Sequence, residues 1–197
     1  MISQQELSAQ QVASYLMDFE DHFTSHSYRN LYWTTFETFI NRQLPNYQKR
    51  GTELNDVCVW DFVSRVDKIK EYERDNDTPG RPVLDVEDHK RPRVALQKGH
   101  EQEKTHILRV RAVKDSLIPV PIGPGIPRRD RTELRARYCR LMLIFFKPWR
   151  QAADLRKNYQ SWEEAFESFV NTCSQSVLQK MENMQIMHEC RDSRDDH

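Results

Sequence analysis

The sequence predicts a mainly helical α+β protein: an irregular helical domain with one or two short strands and a Pro-rich arm. Three observations carry that expectation. Several segments follow a capping residue with apolar side chains at helical spacing, Thr105 to Val113 alternates apolar and charged residues, and residues 118–127 hold four prolines and two glycines.

Taken in order, Ser8-Ala-Gln-Gln11 has the form of a capping box, and Val12, Tyr15, Leu16 and Phe19 follow at i, i+3, i+4 and i+7. That predicts a helix over 8–19, with residues 21–26 as connector. A second helix is expected to carry Tyr32, Phe36, Phe39 and Ile40 and to end before Pro45. Between Val57 and Tyr72, Phe62, Val63, Val66 and Ile69 favour helix. From Arg74 to about Lys104 the chain is rich in charge and proline and reads as a flexible or irregular excursion. In THILRVRAV (105–113), Leu108, Val110 and Ala112 alternate with Arg109 and Arg111, the pattern of a strand. IPVPIGPGIP (118–127) excludes helix and central strand and predicts an extended arm over the surface. Leu134, Tyr138, Leu141, Met142 and Phe145 share one face of the next helix, which Cys139, Leu143, Ile144 and Phe146 widen until it is apolar nearly all round, hence buried; Pro148 stops it. Ser161-Trp-Glu-Glu164 is another capping box, and Val177 to Cys190 forms a last helix with Met181, Met184 and His188 on one side. These elements divide the chain into a helical region (1–73), a charged flexible segment (74–104), and a region of strand, arm and C-terminal helices (105–197).

The 197 residues balance 30 basic against 30 acidic side chains, but unevenly. Residues 128–150, RRDRTELRARYCRLMLIFFKPWR, hold eight basic and two acidic groups around the most apolar run of the chain. That run, Leu141–Phe146, is far short of the roughly 20 residues a bilayer span needs, so no membrane contact is expected. Four scattered cysteines behind a polar N-terminus without an apolar leader read as reduced thiols of an intracellular protein.

Several chemistries lack their residues. None of the glycines (51, 80, 99, 123 and 125) stands in a phosphate-cradling Gly-x-x-x-x-Gly-Lys-Ser/Thr setting, and no two histidines have the His-x-His spacing of a metal-dependent nicking site. His22 and His26, four apart, would need two more ligands for zinc and read as connector residues. His188-Glu-Cys190 with His197 has no second cysteine pair, so no metal site is assigned. No catalytic residue is assigned.

SAQQVASYLMDFEDHFTSHSYRNLYW (8–33), IPRRDR (126–131), YCRLMLIFFKPWR (138–150), SWEEAFESF (161–169) and MHECRDSRDDH (187–197) resemble, in order, blocks of the Helitron transposon protein. That family joins a rolling-circle initiator to a Pif-type ATP-dependent DNA helicase, and the blocks correspond to the connector just upstream of the motor. The resemblance covers the two ends of the chain and is weak over 50–104. It implies a non-catalytic fragment, or a degraded copy, of a nuclear DNA-recombination protein. Its partners would be single-stranded DNA and the adjoining helicase and initiator domains. ATP and magnesium belong to the family's motor, whose motifs match nothing here. Arg128, Arg129, Arg131, Arg135, Arg137, Lys147 and Arg150 are then the expected phosphate contacts, and Trp149 a platform for an unpaired base. Against this stand a core role for Trp149 and pairing of Arg135, Arg137 and Arg140 with Glu163, Glu164, Glu167 or Asp154. An alternative is a helical docking module that presents the Met181/Met184/His188 and Val12/Tyr15/Phe19 faces, or an inert remnant.

Overall fold

A computed structural model describes residues 27–33, 44–71 and 91–195. They form a helix-rich α+β structure around one core that runs from Leu31 to Met184. The elements are β1 (Tyr28–Tyr32), α1 (Pro45–Gln48), α2 (Val59–Arg65), β2 (Val66–Lys70), β3 (Arg93–Ala95), β4 (His106–Val110), β5 (Ile118–Ile122), α3 (Arg135–Phe146), α4 (Trp162–Val170) and α5 (Gln175–Asp195). The predicted helix over 8–19 and most of the second helix fall outside the described residues.

α3 is the centre. Eight of its twelve residues, from Tyr138 to Phe146, are buried, as an all-round apolar helix must be. α2 adds Val59 and Phe62 to the core, and α4 adds Ala165 and Phe166. The Ser161 capping box forms: its side chain accepts the Glu164 N–H at 3.1 Å, and the Glu164 carboxylate accepts the Ser161 N–H at 2.8 Å. Met181 and Met184 of α5 are about 5% exposed and belong to the core.

Among the described residues five short strands form two sheets, where one or two strands are expected. β2, β4 and β3 pair antiparallel with β4 in the middle, matching Asp67 with Arg109 and Arg109 with Arg93. β1 and β5 pair parallel, Tyr28 with Ile118 through Tyr32 with Ile122. Pro119 and Pro121 are tolerated because the alternate residues do the pairing: Ile118 N–H donates to the Ser27 carbonyl and Trp33 N–H to the Ile122 carbonyl. Gly123 ends the strand at φ 150°, its Cα so close to the Trp33 carbonyl that a Cβ has no room. The Pro-rich arm is therefore a strand of a two-stranded sheet. Its outer face leaves Tyr28, Tyr32, Ile118, Val120 and Ile122 exposed.

Three expectations need correction. Tyr32 is strand, paired through β5, because its partner lies ninety residues away and no local period reports it. Val66 and Ile69 are not on a helix: α2 stops at Arg65 and the chain continues extended into β2, where β4 supplies the ladder. The segment 74–104 is not wholly irregular. Its second half enters β3, with Val94 and Leu96 buried, and Gln97 N–H donates to the Lys49 carbonyl at 2.8 Å. Gly51 lets that segment approach: a Cβ there would stand 2.7 Å from the Ala95 carbonyl. Strands from 1–73, 74–104 and 105–197 thus share one sheet.

Candidate nucleic-acid interface

The basic run 128–150 divides at the end of α3. Its second part, Lys-Pro-Trp-Arg, is built into the fold. Lys147 Nζ donates to the Leu155 carbonyl at 3.0 Å, and burial leads the lowering of its pKa. Trp149 is 2% exposed; its indole N–H donates to the Ile144 carbonyl at 2.9 Å and its ring meets Tyr47 edge-on at 5.2 Å. No face is open to a base, so the core role holds over the stacking one. Arg150 spends all three guanidinium nitrogens on the chain: Nη1 on the Gln48 and Arg50 carbonyls (both 2.9 Å), Nη2 on the Gly51 carbonyl (3.2 Å) and Asn55, and Nε on Asn55 Oδ1 (3.1 Å).

Arg50 completes this clamp. It is 1% exposed, stacks 3.9 Å over the Tyr47 ring and donates to the carbonyls of Tyr47, Leu54, Asn55 and Trp149. Burial drives the Tyr47 hydroxyl up to about 12, against the pull of Arg50, so it stays protonated and accepts the Trp149 N–H while donating to the Val57 carbonyl.

The first part, Arg128 to Arg137, stays at the surface. Pro127 delivers it from the arm, and Thr132–Leu134 make a short 3-10 turn before α3 begins at Arg135. Arg129, Arg131 and Arg137 are exposed; Arg128 and Arg135 are half-buried. Arg128 Nε donates to Asp130 Oδ1 at 3.4 Å, and Arg131 lies 3.9 Å from Glu133. Arg129 and Arg135 line a cleft of about 560 Å³ between α3, α4 and α5, together with Tyr138, Phe166, Glu167 and Glu182. Of the carboxylates proposed as partners for α3, Glu164 caps α4, and Asp154 accepts the backbone N–H groups of Gln151 and Arg150, which lower its pKa in that order. Arg140 lies 5.9 Å from the Trp162 ring, which Arg156 also covers at 4.7 Å.

A second charged cluster is absent from the sequence reading. On one face of the β2–β4–β3 sheet the Asp67 carboxylate meets three guanidinium groups: Arg29, reaching across from β1, Arg109 at 3.5 Å and Arg111 at 2.9 Å. Arg29 also donates to the Val63 and Val66 carbonyls, both at 2.9 Å, and so fastens the two sheets together. Burial would raise the Asp67 pKa, but the Arg29 hydrogen bond and charge, then Arg111, outweigh it and hold the carboxyl below its ordinary range. The alternation of Arg109 and Arg111 is visible in the sequence; their convergence with residue 29 on residue 67 is not.

No family model matches the chain, and comparison with curated proteins and with solved structures finds no match. Among the described residues no helix is long and apolar enough to cross a membrane.

Proposed function

We propose that this chain is a non-catalytic, DNA-contacting connector of a Helitron-like transposon helicase protein, acting in the nucleus beside an ATP-dependent motor. The observation that carries the contact is the surface run Arg128, Arg129, Arg131, Arg135 and Arg137, held by a Pro-rich strand on one side and a buried helix on the other. Lys147, Trp149 and Arg150 drop out, because their donors and ring serve the fold. The remaining groups suit backbone phosphates of single-stranded DNA with slight sequence preference.

Titrating labelled single-stranded oligonucleotide at rising salt tests this. Each lost phosphate contact lowers the slope of log affinity against log salt by about 0.7, so Arg128→Ala/Arg129→Ala/Arg131→Ala should reduce it by about 2. Arg150→Ala should instead lower the melting temperature and leave the slope unchanged. Flat titrations of the unaltered chain reject the reading.

A docking module is the second reading, and one observation favours it. The Met181/Met184 face is consumed by the core, but the outer face of β1 and β5 exposes two tyrosines and three β-branched residues, an apolar patch suited to an adjoining domain.

A further inference from the structure

We propose that the cleft between α3, α4 and α5 receives one unpaired nucleobase of the strand held along the 128–137 surface. This rests on the single-stranded DNA reading above and gives that surface a pocket. Arg129 and Arg135 belong to both: they stand in the basic run and they line the cleft. A strand whose phosphates these two hold therefore carries the attached nucleotide to the cleft. Its volume of about 560 Å³ is that of a small-molecule site and has room for a base.

Tyr138 is the observation that points to a ligand. It is 3% exposed and lines the cleft, yet its hydroxyl makes no hydrogen bond among the described residues. A buried hydroxyl without a partner is uncommon, because the missing bond costs free energy. The ring is fixed: it sits on the buried helix α3 and meets Phe166 edge-on at 5.8 Å. Burial above all raises the Tyr138 pKa, with Arg129 the strongest opposing influence, so the phenol keeps its proton at neutral pH and is free to donate. The rest of the lining suits a nucleotide better than a simple ion. Glu167 and Glu182 balance the two arginines, and among the described residues none of these four side chains is in an ion pair. A bare anion would meet the carboxylates, and a bare cation the guanidinium groups. A nucleotide answers both. Its phosphate takes the arginine donors, and the edge of its base offers N–H groups to the carboxylates and an acceptor to the Tyr138 hydroxyl. Every base edge carries both kinds of group, so the pocket adds little sequence preference. Val170 and Leu178, both half-buried, supply apolar contact.

Labelled oligothymidylate and an abasic strand of equal length, titrated against the whole chain at rising salt, are the probes. Both should bind with one salt slope, since they share their phosphates, and the base-bearing strand should bind about tenfold tighter, the worth of one good hydrogen bond to the base. Tyr138→Phe removes only the unpartnered hydroxyl. It should leave the melting temperature unchanged, cut that preference several-fold and leave the abasic strand's affinity as it was. Leu178→Trp, which fills the cleft, should bring the two strands to equal affinity. Arg128→Ala/Arg131→Ala, outside the cleft, should weaken both strands alike. Equal affinity of the unaltered chain for the two strands overturns the base pocket and leaves the DNA-contact reading standing, whereas no binding of either strand overturns both. A preference that survives in both Tyr138→Phe and Leu178→Trp places the base elsewhere and overturns the proposal.

Discussion

His100 shows how a single polar residue takes its state from its surroundings. It is 8% exposed, its Nδ1 accepts the Gln102 N–H at 2.9 Å, and its Nε2 lies 3.0 Å from Asn46 Oδ1. That arrangement assigns the neutral ring with the proton on Nε2. Burial first, then Lys68, lowers its pKa below 6.5. Folding therefore releases the proton that the unfolded chain binds, so the contribution to stability is full above the ordinary histidine range. It declines as pH falls through about 6.5 toward the lower folded value. Urea unfolding at about pH 7.5 and pH 5.5 should show a larger loss for the unaltered chain than for His100→Gln. At the same scale, Arg50 and Arg150 show why a basic residue is not by itself a ligand contact. Arginine carries five donors, and a corner of backbone carbonyls uses them as well as a phosphate does.

Among the elements, α4 has the most local determinants. Its reciprocal Ser161–Glu164 cap satisfies two of the orphan N–H groups at its start, so Ser161→Ala should cost about 1 kcal/mol in a urea titration. α3 has no side-chain cap and starts from a 3-10 turn; burial alone holds it. β5 is the opposite case from α4. A strand with two prolines has few of its own hydrogen bonds to offer, and it exists because β1 lies alongside in a register that ignores them. Likewise β3, three residues long, depends on β4 and on the opening beside Gly51.

For the molecule as a whole, the helices and the larger sheet close on one core centred on α3, so a cavity in that helix is felt everywhere. Leu143 is fully buried; Leu143→Ala should cost about 3 kcal/mol and lower the unfolding midpoints of the helical and sheet signals together. Separate transitions for the two signals would mean that the sheets and helices are independent. The charged clusters belong to this scale too. The 128–137 surface is continuous in the chain, whereas the Asp67 cluster draws on residues 29, 67, 109 and 111 from three strands and the segment after β4.

The sequence by itself determined what periodicity and capping can encode: the buried α3, the capped α4, the strand at 106–110, the extended Pro-rich stretch and the surface arginines that follow it. Each of those depends on neighbours within a few residues, where the 3.6 and 2.0 repeats are legible. Only the tertiary structure decided that Tyr32, Val66 and Val94 lie in strands, that Lys147, Trp149 and Arg150 serve the fold, and that three arginines converge on Asp67. Those outcomes turn on partners dozens of residues away, and a side chain's own pattern carries no record of which carbonyl, ring or carboxylate will meet it.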